Sequence, residues 1–171
     1  RVVVLSTSTP PVVTPKETLD IALECGAGTY VDEGADALDA CAGVLTAQAD
    51  TVADQGQAGT YLIRYSAMDP SGNTGLSSAT RTVTVSDTQP PTVTLNGEAT
   101  VPLECGSAYT EEGATASDLC DGPLPLNASG DVDPTQTGTY ALTYSATDAQ
   151  GLRASATRTV NVNDYLAPVV T

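Results

Sequence analysis

The stretch Gly59-Thr60-Tyr61-Leu62-Ile63-Arg64-Tyr65-Ser66-Ala67-Met68-Asp69 decides the fold of this chain. Large apolar residues alternate along it with smaller or polar ones, which is the pattern of a strand that turns one face to a core. The stretch returns at 138–148 as Gly-Thr-Tyr-Ala-Leu-Thr-Tyr-Ser-Ala-Thr-Asp, with the same alternation. In both places a glycine-containing turn and a second alternating strand follow, at 79–85 and 156–162. A β-hairpin is therefore predicted twice.

This repeat divides the 171 residues into two similar modules. We predict an all-β fold of two tandem immunoglobulin-like β-sandwich domains, at 10–87 and 88–164. Residues 1–9 are interpreted as the last strand of a preceding repeat or as a linker, because Arg-Val-Val-Val-Leu at 1–5 aligns with Arg-Thr-Val-Thr-Val at 81–85. Residues 165–171 are interpreted as a linker and the start of a following repeat. The chain is thus expected to be a segment of a longer array.

Four cysteines occupy matching positions in the two modules, Cys25 and Cys41 in the first and Cys105 and Cys120 in the second. Small domains bury little apolar surface, so covalent links are expected. Three pairings are possible, and the repeat favours Cys25 with Cys41 and Cys105 with Cys120, one disulfide within each domain. Zinc binding is the alternative, but the chain has no histidine and no close Cys-x-x-Cys pair. Disulfides imply an oxidising compartment.

The composition excludes several classes of function. The formal net charge is -15, from 21 acidic and six basic residues, which disfavours nucleic acid and anionic membranes as partners. No apolar run is long enough to cross a bilayer, so no membrane insertion is expected in this segment. Without histidine no Ser-His or Cys-His pair exists, and a non-enzymatic chain is expected. Sugar binding by stacking is disfavoured because tryptophan and phenylalanine are absent.

Acidic residues near the predicted module junction indicate a calcium site. If the final hairpin of the second module runs up and then down, its turn at Asp148 lies at the pole nearest the linker that contains Asp87. Asp118 and Asp121 join them if the turn around Cys120 shares that pole. Carboxylate oxygens are the ligands that Ca²⁺ takes. The other interpretation is that these acids serve turns and solubility, because aspartate before glycine is common turn chemistry.

Two further features of the repeat predict structure. Arg81 and Arg158 have the parity of the core-facing valines in their strands, so their guanidinium groups need a partner. A nearby carboxylate such as Glu24 or Glu104 is expected, and the recurrence favours a structural role. The Gly-Thr-Tyr segments predict a tyrosine corner, in which the tyrosine hydroxyl bonds back to the chain a few residues upstream.

The motifs Pro-Pro-x-Val-Thr, Leu-Glu-Cys-Gly, Gly-Thr-Tyr, Tyr-Ser-Ala-x-Asp and Ala-Thr-Arg-Thr-Val follow one another in both modules, across 10–164. In this order they resemble bacterial extracellular immunoglobulin-like repeats, which are related to hyalin repeats and to the immunoglobulin-like domain of pesticidal crystal proteins. The resemblance implies an extracellular or cell-surface location and neighbouring repeats of the same protein as partners. The linker after the second module also resembles the cadherin linker, which implies Asn163 and Asp164 as further calcium ligands.

The function that this resemblance implies is a non-catalytic structural or adhesion repeat, acting as a spacer or stalk segment of a large secreted or surface protein. One alternative is a recognition module that binds a protein or glycan partner through the loops at one pole. Another is a subunit of a strand-exchanged fibre, in which the N-terminal strand completes the sheet of a neighbouring chain and drives self-assembly.

Overall fold

A computed structural model describes residues 9–16 and 18–167 of the chain. All regular elements among these residues are β-strands, which confirms the all-β prediction. The chain divides into two compact units, Arg1–Asp87 and Thr88–Thr171. The strand expected from a preceding repeat, at 1–5, lies outside the described residues, as do positions 168–171 of the expected following repeat. In the described part of the chain no helix is long and apolar enough to cross a membrane.

The first unit is built from short strands in three sheets. The sheet orders are β1–β3–β4, β2–β9–β6 and β5–β7–β8. The strands are β1 (Val12–Pro15), β2 (Asp20–Glu24), β3 (Ala35–Asp39), β4 (Gly43–Thr46), β5 (Gln48–Ala49), β6 (Gly59–Ile63), β7 (Tyr65–Met68), β8 (Thr74–Leu76) and β9 (Arg81–Ser86).

The second unit repeats this plan with two sheets, β10–β12–β13 and β11–β16–β15–β14. Its strands are β10 (Thr92–Leu95), β11 (Thr100–Glu104), β12 (Ala114–Asp118), β13 (Gly122–Pro123), β14 (Asn127–Ser129), β15 (Gly138–Thr147) and β16 (Arg153–Asn163). The four-stranded sheet corresponds to the two smaller sheets of the first unit that contain β2 and β5.

The final hairpin is continuous in the second unit and interrupted in the first. In the second unit β15 and β16 pair without a break from Gly138 opposite Val162 to Thr147 opposite Arg153. The first unit has two more residues in the returning strand, since Thr74–Val83 corresponds to Arg153–Val160. Ser77 absorbs them, because its hydroxyl accepts from Tyr65 N–H at 3.1 Å and donates to Ala79 O at 2.8 Å. The extra residues form a bulge that splits each long strand in two.

In each unit one strand pair is parallel, which the sequence analysis does not anticipate. Residue Ile21 of β2 lies opposite Val83 of β9, and Val101 of β11 lies opposite Val160 of β16. Parallel pairing requires a long connection between the partners, and here most of the domain lies between them. The strand that leads to the first cysteine of each module, β2 or β11, is therefore held in place by the last strand of the same module, β9 or β16.

The predicted disulfide within each domain is wrong, because Cys41 and Cys105 carry free thiols. Between Cys25 and Cys41 the chain does not fold back on the same sheet. Cys25 follows β2, in the sheet with β9, whereas Cys41 follows β3, which pairs with β1 and β4 in another sheet. Cys105 and Cys120 likewise follow strands of different sheets, β11 and β12. Cys25 and Cys120 are not free thiols.

The predicted tyrosine corner is present in both units. The Tyr61 hydroxyl donates to Gln57 O at 3.0 Å, and the Tyr140 hydroxyl donates to Gln136 O at 2.9 Å. Each bond ties the start of a long strand to the loop that leads into it. The corner therefore fixes the register in which the alternating pattern enters the sheet.

The core of each unit lies along its final hairpin, at 59–85 in the first unit and 138–162 in the second. Alternate residues of its strands are buried: Ile63, Tyr65, Ala67, Val83 and Val85 in the first unit, and Tyr144, Ala146, Val160 and Val162 in the second. Val13 and Ala37 of the facing sheet complete the first core, and Ala116 contributes to the second. Burial of these apolar side chains is the main source of stability in such a domain.

Candidate functional site

The turn after β12 is organised by Asp118. Its Oδ1 accepts from the N–H groups of Cys120 and Asp121, at 2.7 and 3.1 Å. An aspartate that binds the backbone two and three residues onward stabilises a turn without any metal. In the first unit Asp39 does the same, and its Oδ1 accepts from Cys41 N–H and Ala42 N–H at 2.8 and 2.7 Å. The turn is thus a property of the repeat.

Asp148 holds the turn between β15 and β16. Its Oδ1 accepts from Gln150 N–H at 3.0 Å and Leu152 N–H at 2.8 Å. The residue is 7% exposed, and its Oδ2 is buried without a hydrogen bond to any described residue. A buried carboxylate oxygen that lacks a partner is costly, so Asp148 is suited to a further positive or donor group.

The structure brings two of the predicted metal ligands together in the second unit and places a third on the same turn. Carboxylate oxygens of Asp118 and Asp148 lie within 4.8 Å of one another. Asp121 is exposed, and its Oδ2 accepts from Ala149 N–H at 2.7 Å, which attaches it to the Asp148 turn. Carboxylates this close repel unless a proton or a cation intervenes. Oxygen ligands of this kind are those that Ca²⁺ prefers.

The remaining predicted ligands are placed differently. Asp87 is half-buried and is the last residue of the first unit. Asn163 is the last of the 11 residues of β16, the strand that follows the Asp148 turn. Its Nδ2 donates to the Tyr165 hydroxyl at 2.8 Å. Asp164 follows and is exposed. Because a strand rises about 3.3 Å per residue, the length of β16 separates Asn163 and Asp164 from Asp148.

A buried ion pair lies at the centre of the first unit. Arg81 is 1% exposed, which confirms the parity argument, and its Nη1 lies 2.8 Å from Asp32 Oδ1. The Tyr65 hydroxyl donates to the same carboxylate at 2.7 Å, and the Tyr30 hydroxyl contacts it at 3.0 Å. The Arg81 guanidinium also donates to Lys16 O and lies 5.4 Å from the centre of the Tyr65 ring. We call Arg81, Asp32, Tyr30 and Tyr65 the arginine cluster.

The second unit contains the same arrangement with glutamate in place of aspartate. Arg158 is 1% exposed and pairs with Glu111. Its Nε donates to Glu98 O at 2.9 Å, and Glu111 Oε1 accepts from Gly113 N–H at 2.8 Å. The Tyr109 hydroxyl donates to the other oxygen of Glu111. Every charged group in the two clusters is thus bound by its own chain, which is the arrangement of a structural ion pair rather than of a reactive one.

The partners expected for these arginines from the sequence are wrong. The expected carboxylates, Glu24 and Glu104, lie at the ends of β2 and β11, and the Glu104 side chain instead accepts from Tyr165 N–H at 2.9 Å. The observed partners lie two residues after a recurring tyrosine, in Tyr30-Val31-Asp32 and Tyr109-Thr110-Glu111. The recurrence of an acid at that spacing in both copies is the signal that identifies them.

The arginine cluster predicts a pH dependence of stability. Burial alone would raise the pKa of Asp32, but hydrogen bonds from Tyr65, Arg81 and Gly34 outweigh burial and hold the pKa below its usual range. A carboxyl whose pKa is depressed by folding contributes stability above its unfolded pKa of about 4, and this contribution is lost as the pH falls through the folded pKa. We therefore expect the urea midpoint of the chain to fall between about pH 5 and pH 2.

Two variants distinguish the contribution of the Asp32 carboxyl from that of the other acidic residues. Asp32→Asn is expected to be less stable at neutral pH and to lose part of the dependence on acid, whereas Asp20→Asn, at an exposed strand position, should follow the wild-type curve. Equal pH slopes for wild type and Asp32→Asn would show that Asp32 is not the titrating group.

Comparisons with known proteins agree with this architecture. A family described as "Bacterial surface protein, Ig-like domain" matches residues 14–85 and again 93–162. The chain is 32% identical over 180 aligned positions to hyalin of Strongylocentrotus purpuratus, with 96% of this chain aligned, and 35% identical over 125 positions to hyalin of Lytechinus variegatus, with 66% aligned. It spans 15% and 23% of the length of these relatives.

One solved structure, a lipoprotein from Bacteroides thetaiotaomicron, is 30% identical over 46% of this chain and 40% of its own, with a TM-score of 0.41. The family match and the two hyalin matches identify the protein as an extracellular or cell-surface chain. With two consecutive matches that cover most of its residues, the chain belongs to the family of bacterial surface protein Ig-like domains.

Proposed function

We propose that this chain is a non-catalytic spacer segment of a larger extracellular or surface protein. The observation that carries the proposal is the repetition of one buried framework in both units: Arg81 with Asp32 and Arg158 with Glu111, each bound by its own chain. A reactive centre needs a charged or nucleophilic group that is free to meet a substrate. The buried charges of these modules instead stabilise the modules themselves.

The link between the units supports the same role. It contains Pro90-Pro91, and proline fixes one backbone angle and so restricts the connection. Repeats joined in this way carry another domain at a distance that depends on their number. The partners of this segment would then be neighbouring repeats of the same protein.

A module exchange tests the spacer role in the full-length protein. Replacement of residues 10–87 by a second copy of 88–164 keeps the number of modules and alters every loop of the first module. A spacer should retain the surface attachment of its parent protein after the exchange, whereas deletion of one module should reduce it. Loss of attachment after the exchange, with circular dichroism unchanged, would contradict the spacer role.

A recognition role is the second candidate, and one feature of the second unit favours it. An open cavity of about 400 Å³ is lined by Tyr109, Val132, Leu142 and Tyr144, among others. Part of its wall is the loop at 130–134, which differs between the copies. If this loop contacts a protein or glycan partner, transfer of 122–136 into the first unit in place of 42–57 should transfer binding. The opposite replacement, of 122–136 by 42–57 in the second unit, should abolish it.

We also propose that the second unit binds calcium through Asp118, Asp121 and Asp148. The proposal is supported by the 4.8 Å limit on the separation of the Asp118 and Asp148 oxygens and by the buried, unbonded Oδ2 of Asp148. Asp87, which immediately precedes this unit, is a further predicted ligand, and Asn163 and Asp164 are predicted to serve the junction with a following repeat. A cation here would stabilise the loops at one pole of the module.

Thermal unfolding with millimolar CaCl2 and with chelator tests this site. A ligand that binds only the folded state stabilises it by about 2.7 kcal/mol when its concentration is 100 times Kd. The melting temperature should therefore rise with calcium in the wild-type chain and rise much less in Asp148→Asn. An identical melting temperature with calcium and with chelator would contradict the calcium proposal.

A further inference from the structure

The two units share one turn, and its backbone is bonded in the same way in both copies. The turn runs from Asp69 to Asn73 in the first unit and from Asp148 to Leu152 in the second. The aspartate N–H donates to the carbonyl four residues on, at 3.0 and 3.1 Å, and its Oδ1 accepts from the N–H two residues on, at 2.8 and 3.0 Å. The same oxygen accepts from the N–H four residues on, at 2.9 and 2.8 Å. The copies therefore share these backbone bonds, and they differ in the groups around them.

The first difference is at the second carboxylate oxygen. In the first unit Asn73 Nδ2 donates to Asp69 Oδ2 at 2.8 Å. The pKa of Asp69 lies below its usual range, and this hydrogen bond is the largest cause of the lowering. In the second unit the residue at this place is Leu152, which has no side-chain donor. Asp148 Oδ2 is left buried without a hydrogen bond to any described residue, although Asp148 is 7% exposed. The first copy supplies a donor at the place where the second lacks one.

Two further differences also add an oxygen ligand to the second unit and not to the first. Asp121 Oδ2 accepts from Ala149 N–H at 2.7 Å in the second unit. The corresponding residues of the first unit are Ala42, which has no carboxylate, and Pro70, which has no N–H. The second copy thus gains one acid and the backbone donor that orients it. The first copy has a proline that stiffens the turn instead.

The neighbouring acids also differ in their grouping. Asp39 of the first unit has a buried Oδ2 without a hydrogen bond, as Asp148 has. Within the described ranges 9–16 and 18–167, however, no group of three close ligand atoms contains Asp39, whereas carboxylate oxygens of Asp118 and Asp148 lie within 4.8 Å of one another and Asp121 is attached to the same turn. Convergence of several oxygens is what distinguishes a cation site from a single buried acid.

We infer that the Asn73 amide takes the place of a divalent cation in the first unit, so that calcium-linked stability is confined to the second unit. The inference rests on the proposed calcium site and states which copy carries it. A side-chain donor and a cation satisfy the same oxygen, and each excludes the other. An array of such repeats would then contain modules that respond to calcium and modules that are stable without it.

Calorimetric titration of the whole chain with CaCl2 tests this assignment. We expect one tight calcium ion per chain, with MgCl2 at the same concentration as the comparison cation. Leu152→Asn introduces the donor of the first copy and should weaken calcium affinity at least about tenfold, which corresponds to 1.4 kcal/mol. The matched control is Leu152→Ala, which removes the same apolar contacts without adding a donor and should keep the affinity within about threefold of wild type.

The outcomes separate the inference from the proposal on which it rests. Absence of calcium binding by the wild-type chain would overturn the proposed site itself. Tight binding that survives Leu152→Asn, in a variant whose near-ultraviolet circular dichroism is native, would overturn the inference and leave the site intact. Two tight ions per chain, one of which is lost in Asp69→Asn, would likewise overturn it, because the first unit would then bind calcium despite Asn73.

Discussion

Replacing Arg81 with methionine is expected to destabilise the first unit by about 3 kcal/mol. Methionine retains the apolar length of the side chain but leaves Asp32, whose side chain is 18% exposed, without its 2.8 Å ion-pair partner. Removal of one member of a buried pair costs more than the pair contributes, because the remaining charge stays desolvated. In a domain of this size, such a loss should lower the melting temperature by more than about 10 °C.

The control for this change is Arg64→Met, since Arg64 is an exposed arginine of the same unit. Surface substitutions of this kind usually change stability by less than about 0.5 kcal/mol. Calorimetry gives the melting temperatures, and hydrogen exchange measured by mass spectrometry locates the loss of protection, which should be concentrated in β2, β6 and β9. If Arg81→Met melts within about 2 °C of Arg64→Met, the arginine cluster does not hold the first unit together.

The arginine cluster also shows how far the sequence predicts the site. The alternation along β9 places Arg81 on the core side, because side chains in a strand alternate between faces whatever the tertiary structure is. Its partner depends on which loop crosses the end of the sheet, and local pattern does not specify that. Glu24 is close to Arg81 only if β2 and β9 bring those ends together, whereas their parallel register pairs Glu24 with Ser86, five residues along β9.

The cysteines were mispredicted for a related reason. The repeat identifies equivalent cysteines with certainty, and it gives no information on whether β2 and β3 are neighbours in one sheet. An antiparallel hairpin and a crossing to the facing sheet have the same alternation and the same glycine at the change of direction. The acidic turns were predictable because aspartate binds the backbone within four residues, so Asp118 and Asp148 are placed by local chemistry.

Gly75→Ala is expected to be the other strongly destabilising change, by about 3 kcal/mol, although the second unit has alanine at the same register position. Gly75 of β8 lies opposite Ala67 of β7, and Ala154 of β16 lies opposite Ala146 of β15. A Cβ on Gly75 would lie 1.8 Å from the Pro11 carbonyl oxygen and 2.8 Å from its carbon, both backbone atoms. To relieve this overlap, the backbone at Pro11, which leads into β1, must move.

The matched control is Gly59→Ala, another strand glycine of the first unit, whose Cβ would lie 3.8 Å from the Tyr61 ring in ordinary contact. It should change stability by less than about 1 kcal/mol, and the reverse exchange, Ala154→Gly, should cost only about 1 kcal/mol in lost backbone restriction. Urea unfolding of the three variants measures these differences. Equal midpoints for Gly75→Ala and Gly59→Ala would mean that Pro11 yields to the added methyl group, and that the close approach of β8 to the start of β1 does not restrict the sequence of the first copy.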